Sequence, residues 1–305
     1  RERVGRAVDV QVEQVELDGR AYPIGDLFFD LAGVKIGFEI CEDAWVAQRP
    51  GGELALKGVD IILNPSASHF AFGKHEVRKR LVLEASRAFG VAYVYANLVG
   101  CEAGRIIYDG EALIASGGRI IASGKRFSFE AARITAAQID LSQTRMDHAR
   151  TASFQPILTD QAPTCIRDTF DFPSHTRAAS PAPPQPDAWE DSPDLKKEEF
   201  TRAVTLGLFD YLRKSKTNGF VVSFSGGADS STVSCLVALM VELGLAELGR
   251  ERFLTALSQI EDIRTAKDAR RIVNRLLTTV YQSTRQSSET TRHAARTVAE
   301  AIGSR

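Results

Sequence analysis

The chain is short of the residues that would mark several function classes. Its 305 residues hold four cysteines, Cys41, Cys101, Cys165 and Cys235, with no paired spacing among them. A disulfide framework needs a cysteine-dense secreted chain and a zinc site needs close pairs, so neither is expected. Net charge is nearly absent: 38 Lys and Arg against 39 Asp and Glu leave −1. That gives no electrostatic case for nucleic acid or an anionic membrane as a partner. No apolar run approaches the roughly 18 residues of a membrane span. Arg1-Glu2-Arg3-Val4-Gly5-Arg6 carries charge with no apolar core behind it, unlike a secretory signal. A cytoplasmic, reducing setting is expected. What is present is ordinary: 44% hydrophobic residues, enough for real cores, in a length that suggests about two domains.

Taken in order, residues 1–30 are mixed, with a turn at Asp18-Gly19. Val34-Lys35-Ile36-Gly37-Phe38-Glu39-Ile40 alternates as a strand and delivers Cys41 to its end. Residues 59–63 form a second apolar strand, stopped by Asn64-Pro65-Ser66-Ala67-Ser68. Residues 75–89 have helical spacing, 91–99 return as a strand, and turns at Asp109-Gly110 and Gly117-Gly118 suggest hairpins through 123. The order is that of an α/β sandwich. From about 146 the pattern dissolves, and Ala178-Ala179-Ser180-Pro181-Ala182-Pro183-Pro184-Gln185-Pro186 reads as an extended linker. Asp194 then caps a helix with Phe200, Val204, Leu208 and Tyr211 on one face. No internal repeat is visible.

The second half is organised around Val221-Val222-Ser223-Phe224-Ser225-Gly226-Gly227-Ala228-Asp229-Ser230. A buried strand turns through two glycines into a helix, which is the geometry that collects a phosphate. Glycine lets the backbone approach closely, and free N–H groups and the helix dipole face the anion. No Lys follows the glycines, so this is not a Walker A loop. The other reading is an ordinary strand-to-helix turn capped by Asp229. Ser-Gly-Gly-Ala-Asp-Ser resembles the pyrophosphate loop of the ATP pyrophosphatases. That resemblance implies that Ser223, Phe224, Ser225, Gly226, Gly227, Ala228, Asp229 and Ser230 line ATP, and that Asp229 binds a Mg²⁺ bridging the phosphates. The expected donors are the N–H groups of Gly226, Gly227 and Ala228 and the hydroxyls of Ser225 and Ser230. Gln282 and Arg285, after the next strand, sit where this superfamily meets the nucleotide.

Alone, Cys41 would more often be a core thiol than a nucleophile. Its surroundings change that. Phe38-Glu39-Ile40-Cys41-Glu42-Asp43-Ala44-Trp45, Asn64-Pro65-Ser66-Ala67-Ser68 and Tyr108-Asp109-Gly110 resemble the nitrilase-type amidases, and in particular the glutaminase part of the glutamine-dependent NAD synthetase family. The resemblance implies that Cys41 attacks the glutamine amide and releases ammonia, with the N–H of Glu42 on the oxyanion. It implies that Ser68 and Lys74 meet the glutamine carboxylate; a solvated cation at a helix start is the alternative for Lys74. The family's Glu base and Lys lie well upstream of its cysteine, and only forty residues precede Cys41. Lys35 reads as an edge or surface residue rather than that Lys. His69 and His75 read as lone surface histidines, and Cys101, Cys165 and Cys235 as structural.

A nitrilase-type cysteine ahead of a pyrophosphate loop is the arrangement of glutamine-dependent NAD synthetases. The expected fold is α/β: a partial nitrilase-like αββα sandwich at 1–145, a linker at 146–195, and a partial doubly wound parallel α/β ATP-pyrophosphatase domain, of the adenine nucleotide alpha hydrolase type, at 196–305. The resemblance implies glutamine, ATP and deamido-NAD as substrates, Mg²⁺ as cofactor, and a homo-oligomer. The alternatives are another glutamine-dependent amide-forming ATP pyrophosphatase, or a catalytically incomplete ATP-binding fragment. The chain is expected to be a piece of a longer protein, cut at both ends and without glutaminase activity by itself.

Overall fold

The computed structural model describes residues 12–151, 153–157, 164–172, 187–283, 285 and 287–305. The proline-rich 178–186 lies outside the described residues. The chain starts with a hairpin, β1 (Glu13–Leu17) and β2 (Arg20–Ile24). Its turn places both Asp18 and Gly19 at positive φ, 52° and 72°, as a two-residue hairpin turn requires.

Next come β3 (Phe28–Leu31), β4 (Val34–Phe38), α1 (Pro50–Leu56), β5 (Ile61–Ser66), α2 (Lys74–Phe89) and β6 (Ala92–Asn97). Two hairpins follow, β7 (Val99–Cys101) with β8 (Ile107–Asp109), and β9 (Ala112–Ser116) with β10 (Arg119–Ser123); then α3 (Leu141–Arg150) and β11 (Cys165–Asp168). Seven strands make one mixed sheet in the order β10-β9-β6-β5-β4-β3-β11, with β4, β5 and β6 parallel at its centre. Parallel neighbours need a crossover, and α2 supplies it between β5 and β6. Phe28, Leu54, Ile62, Val82, Tyr93 and Leu113 are buried together, so α1 and α2 cover one face of the sheet.

Two expectations change here. Strand β5 does not stop at Asn64 but runs through Pro65 to Ser66. Pro65 is tolerated because β4 ends opposite Leu63, so its missing N–H faces no ladder on that side. And the stretch read as featureless from 146 holds the end of α3 and the strand β11, which pairs in parallel with β3. Four residues are too few for a period to show, while the open edge of β3 supplies the partner.

The second unit consists of α4 (Leu195–Ser215), β12 (Phe220–Ser223), α5 (Ala228–Ala256), α6 (Ala269–Leu276), β13 (Leu277–Val280) and α7 (Glu289–Ile302). Strands β12 and β13 are parallel. Helix α5 is long and apolar enough, by length and composition, to cross a membrane. Its Val237, Met240, Val241 and Phe253 are nonetheless buried with Phe209 and Leu212 of α4 and Phe129 of the first unit. Gly249, at φ 73°, kinks it.

The units are tightly joined. Phe127, Trp189, Ala203 and Leu206 form a shared apolar cluster, and buried Arg126 pairs with Glu190 and Glu199. The Cys101 N–H donates to Asp210 of α4 at 2.9 Å. A Cβ on Gly100 would lie 1.8 Å from that carboxylate, so only glycine allows the approach.

Candidate functional site

Cys41 stands where β4 has ended and β5 continues, at the carboxyl ends of parallel strands, the side on which α/β proteins bind ligands. Its position is fixed from beneath by Glu39, a fully buried carboxylate. Arg49 Nε donates to Glu39 Oε1 at 3.1 Å, the Gly51 N–H to the same oxygen at 3.0 Å, and the Tyr93 hydroxyl to Oε2 at 2.5 Å. Asn64 of β5 donates to Tyr93 at 3.0 Å, tying this group to the neighbouring strand. Burial and then the Glu39 charge push the Tyr93 phenol far above its ordinary titration range, so it remains a donor.

Two residues on, the chain turns sharply. Cys41 has φ 50° and opens a short 3₁₀ turn, Cys41–Trp45. Positive φ costs a residue with a Cβ roughly 1–2 kcal/mol. A strained strand-to-helix turn carrying a nucleophile is how several hydrolases expose the reacting atom. Asp43 steadies it by accepting from the Ile40 N–H at 3.2 Å. Cys41 is half-buried.

Ser68 and Lys74 are brought to the same end of the sheet. Ser68 is buried, its N–H donating to Asn97 Oδ1 at 2.8 Å while Asn97 Nδ2 donates to its carbonyl at 2.9 Å. Lys74 opens α2, and its Nζ donates to the His69 carbonyl at 3.1 Å, 6.0 Å from the centre of the Trp45 ring. Burial, and after it the like charge of Arg78, lowers the Lys74 ammonium below its ordinary pKa, with Asp109 and the Cys41 thiol pulling it partly back. The Lys74 head group is thus held by a backbone carbonyl beside the Trp45 ring.

Beneath them lies a network that sequence reading missed. Arg78 is fully buried; its Nη1 pairs with Asp109 and, at 3.0 Å, with Glu111. Its Nη2 donates to the Ser68 carbonyl at 2.9 Å, the Ser68 hydroxyl at 3.3 Å and the His69 carbonyl at 3.2 Å. His75 is not a lone surface histidine, because its Nδ1 meets the buried Glu111 carboxylate. The pairing spans 36 residues, beyond any local spacing rule. One signal was available: Lys74 and Arg78 are four apart, on one face of α2.

In the second unit the loop at 223–230 has the expected strand-loop-helix form. Phe224 is buried and donates its N–H to Val280 of β13 at 2.9 Å. Gly226, at φ 78°, passes so close to α7 that a Cβ would lie 2.2 Å from the Thr291 carbonyl. Gly227 caps α5, whose ladder begins with the Ser231 N–H to Gly227. The N–H groups of Ala228, Asp229 and Ser230 thus precede the first helical bond, as free donors for an anion do. Gly227, expected as such a donor, gives its N–H to the Ser225 hydroxyl at 3.2 Å, which lies 3.2 Å from that of Ser230. Asp229 is exposed on the first turn of α5. A cavity of about 450 Å³ adjoins the loop, lined by Phe224, Tyr281, Ser283, Arg292 and Arg296 among others. Two of its lining residues, Arg292 and Arg296, are cations from α7; Gln282 and Arg285, just after β13, are exposed.

Among the described residues no cluster of three or more His, Cys, Asp or Glu side chains could hold a metal alone. Mg²⁺ beside a nucleotide needs only one or two carboxylates, the phosphates and water supplying the rest. Asp229 fits that lesser demand.

Comparisons with known proteins match both parts of the chain. A carbon-nitrogen hydrolase family model matches residues 6–148 and an NAD synthase model residues 200–302. Glutamine-dependent NAD(+) synthetase of Mus musculus is 34% identical over 289 residues, 93% of this chain and 40% of that protein. The enzyme of the same description from Oryza sativa subsp. indica is 33% identical over 296 residues, 92% of this chain and 39% of its own length. A crystal structure of a glutamine-dependent NAD(+) synthetase from Cytophaga hutchinsonii superposes with TM-score 0.68 at 36% identity, covering 96% of this chain and 41% of that one. One from Acinetobacter baumannii, complexed with ADP, shares the fold with TM-score 0.56 at 19% identity, over 92% and 39% of the two chains. The chain thus spans about two fifths of the length of the curated relatives it matches. With a carbon-nitrogen hydrolase part ahead of an NAD synthase part, the chain is similar over more than nine tenths of its length to glutamine-dependent NAD(+) synthetases.

Proposed function

We propose that this chain contributes the cysteine of a glutaminase site and the ATP loop of a synthetase site to an enzyme that makes NAD from deamido-NAD. The observation that carries the reading is a cysteine held at positive φ at the carboxyl end of β4, beside β5, in the same chain as a Ser-Gly-Gly loop before a helix. Residues 1–145 and 196–305 are assigned to the two units and 146–195 to their connection.

In the first site the Cys41 thiolate adds to the glutamine carboxamide. The Glu42 N–H is offered to the developing oxyanion, and ammonia leaves as the thioester forms. Water then cleaves the thioester to glutamate and restores the thiol. Ser68 and Lys74 hold the α-carboxylate, which sets the amide over Cys41. In the second site the loop residues Ser223, Phe224, Ser225, Gly226, Gly227, Ala228 and Ser230 cradle ATP phosphates. The nicotinate carboxylate attacks the α-phosphorus and pyrophosphate leaves; ammonia displaces AMP from the resulting acyl-adenylate. Asp229 would hold the Mg²⁺ that neutralises phosphate charge. Four free thiols support a reducing, cytoplasmic setting, and a homo-oligomer is the expected assembly.

The test supplies the protein, as expressed from its gene, with glutamine, ATP, Mg²⁺ and deamido-NAD. NAD, AMP, pyrophosphate and glutamate are the expected products. Glutamate without NAD would leave the glutaminase standing and refute the acceptor.

A further inference from the structure

Resting on the glutaminase reading, we propose that Arg78 is a positioning residue for glutamine capture: it makes the Ser68 hydroxyl a hydrogen-bond donor aimed at the substrate carboxylate. Asn97 pairs both the N–H and the carbonyl of Ser68, and Arg78 donates to that carbonyl and to the hydroxyl oxygen. A hydroxyl has a single proton to give, and a guanidinium accepts nothing. With a cation donating to its oxygen, the Ser68 proton turns away from Arg78, and the cation makes it a stronger donor. A carboxylate is the group such a donor selects, and Lys74, one turn before Arg78 on α2, adds the matching charge.

Arg78 is itself immobilised. Asp109 and Glu111, both almost fully buried, bind its other nitrogen, and Asp109 Oδ1 also accepts from Asn97 at 2.7 Å. Its two terminal nitrogens, with four hydrogens between them, lie within hydrogen-bond distance of two backbone carbonyls, one hydroxyl and two carboxylates, so one hydrogen is shared between two acceptors. A lysine ammonium, with three donors on one atom, cannot span them. Burial, and after it the Arg78 charge, lowers Lys74, so an entering carboxylate relieves a repulsion as well as completing a bond.

The experiment compares wild type with Arg78→Lys on glutamine and on 4-aminobutanamide, which is glutamine without its α-carboxylate. A charge-assisted hydrogen bond of about 1.5–3 kcal/mol corresponds to roughly 10- to 100-fold. The expected result is that rise in KM for glutamine with kcat nearly constant and the carboxylate-free amide unaffected. Ser68→Ala should show the same loss, and the double variant should be no worse than either single one, since both remove one interaction. Ammonia-driven NAD formation, which does not use this pocket, serves as the folding control. An unchanged KM in Arg78→Lys, or an equal fall on both amides, overturns the proposal. If Arg78→Lys fails to fold, Ser68→Thr must keep the glutamine KM that Ser68→Ala loses; equal values in the two overturn it too. Wild-type protein without glutamine turnover would refute the glutaminase reading instead.

Discussion

The two candidate sites are built on opposite plans. Around Cys41 and Ser68 the supporting groups are charges taken out of water: Glu39, Arg78, Asp109 and Glu111 are each almost fully buried and each paired. Around the loop at 223–230 the chain offers small residues, exposed hydroxyls bonded to one another, and N–H groups at a helix start. The difference suits the ligands proposed for the two sites. A free amino acid carries one carboxylate that must be oriented to within an ångström, and only a rigid buried frame does that. A polyphosphate carries many charges and brings its own cation, so a backbone cradle suffices.

If the plans are separate, each can be broken alone. The largest effect is expected from Cys41→Ala: glutamine-driven NAD formation falls by at least about 10³-fold, the scale of losing a nucleophile, while ammonia-driven formation persists. Loss of both, in a coupled assay with each nitrogen source, would mean that the sites are not independent. Next comes Gly226→Ala. The new Cβ meets the Thr291 carbonyl of α7 at 2.2 Å at a residue with φ 78°, so ATP-dependent activity should vanish while glutaminase activity remains. Asp229→Ala is expected to cost about 10- to 100-fold in pyrophosphate release, as losing one ligand of a bridging cation does, again without touching glutamine hydrolysis.

Smaller effects sharpen the buried frame. Glu39→Gln removes the partner of Arg49 and should cost about 3 kcal/mol in denaturant unfolding; a loss under about 1 kcal/mol would show that the pair does not pin the turn. Lys74 supplies a pH test. Its pKa is lowered from the ordinary 10.5, and glutamine capture needs the charged form. Affinity should therefore be full at neutral pH and decline, as pH rises, earlier than for an unperturbed lysine. Lys74→Arg should flatten that decline, and an identical pH–KM profile for the two would refute the carboxylate role.

Much of this was legible in the sequence, for a local reason. The pyrophosphate-type loop is a contiguous string whose glycines, hydroxyls and helix start act on the backbone around them. The cysteine turn is another such string, and α2 falls close to where its period puts it. The misses were all matters of partner. Strand β11 exists because β3 has an open edge. His75 is held by a carboxylate 36 residues away, and Arg292 and Arg296 reach the cavity beside the loop because α7 folds back against it.

By itself, then, the sequence determined the two signatures, the order in which they occur and the α/β character of both halves, since each rests on neighbours within a few residues. Only the tertiary structure decided that Arg78, Asp109, Glu111 and Asn97 converge on Ser68, and that Glu39 anchors the turn of Cys41. Burying a charge is tolerable only when its partner is already in place. In this protein those partners come from separate strands and helices, which no reading along the chain can bring together.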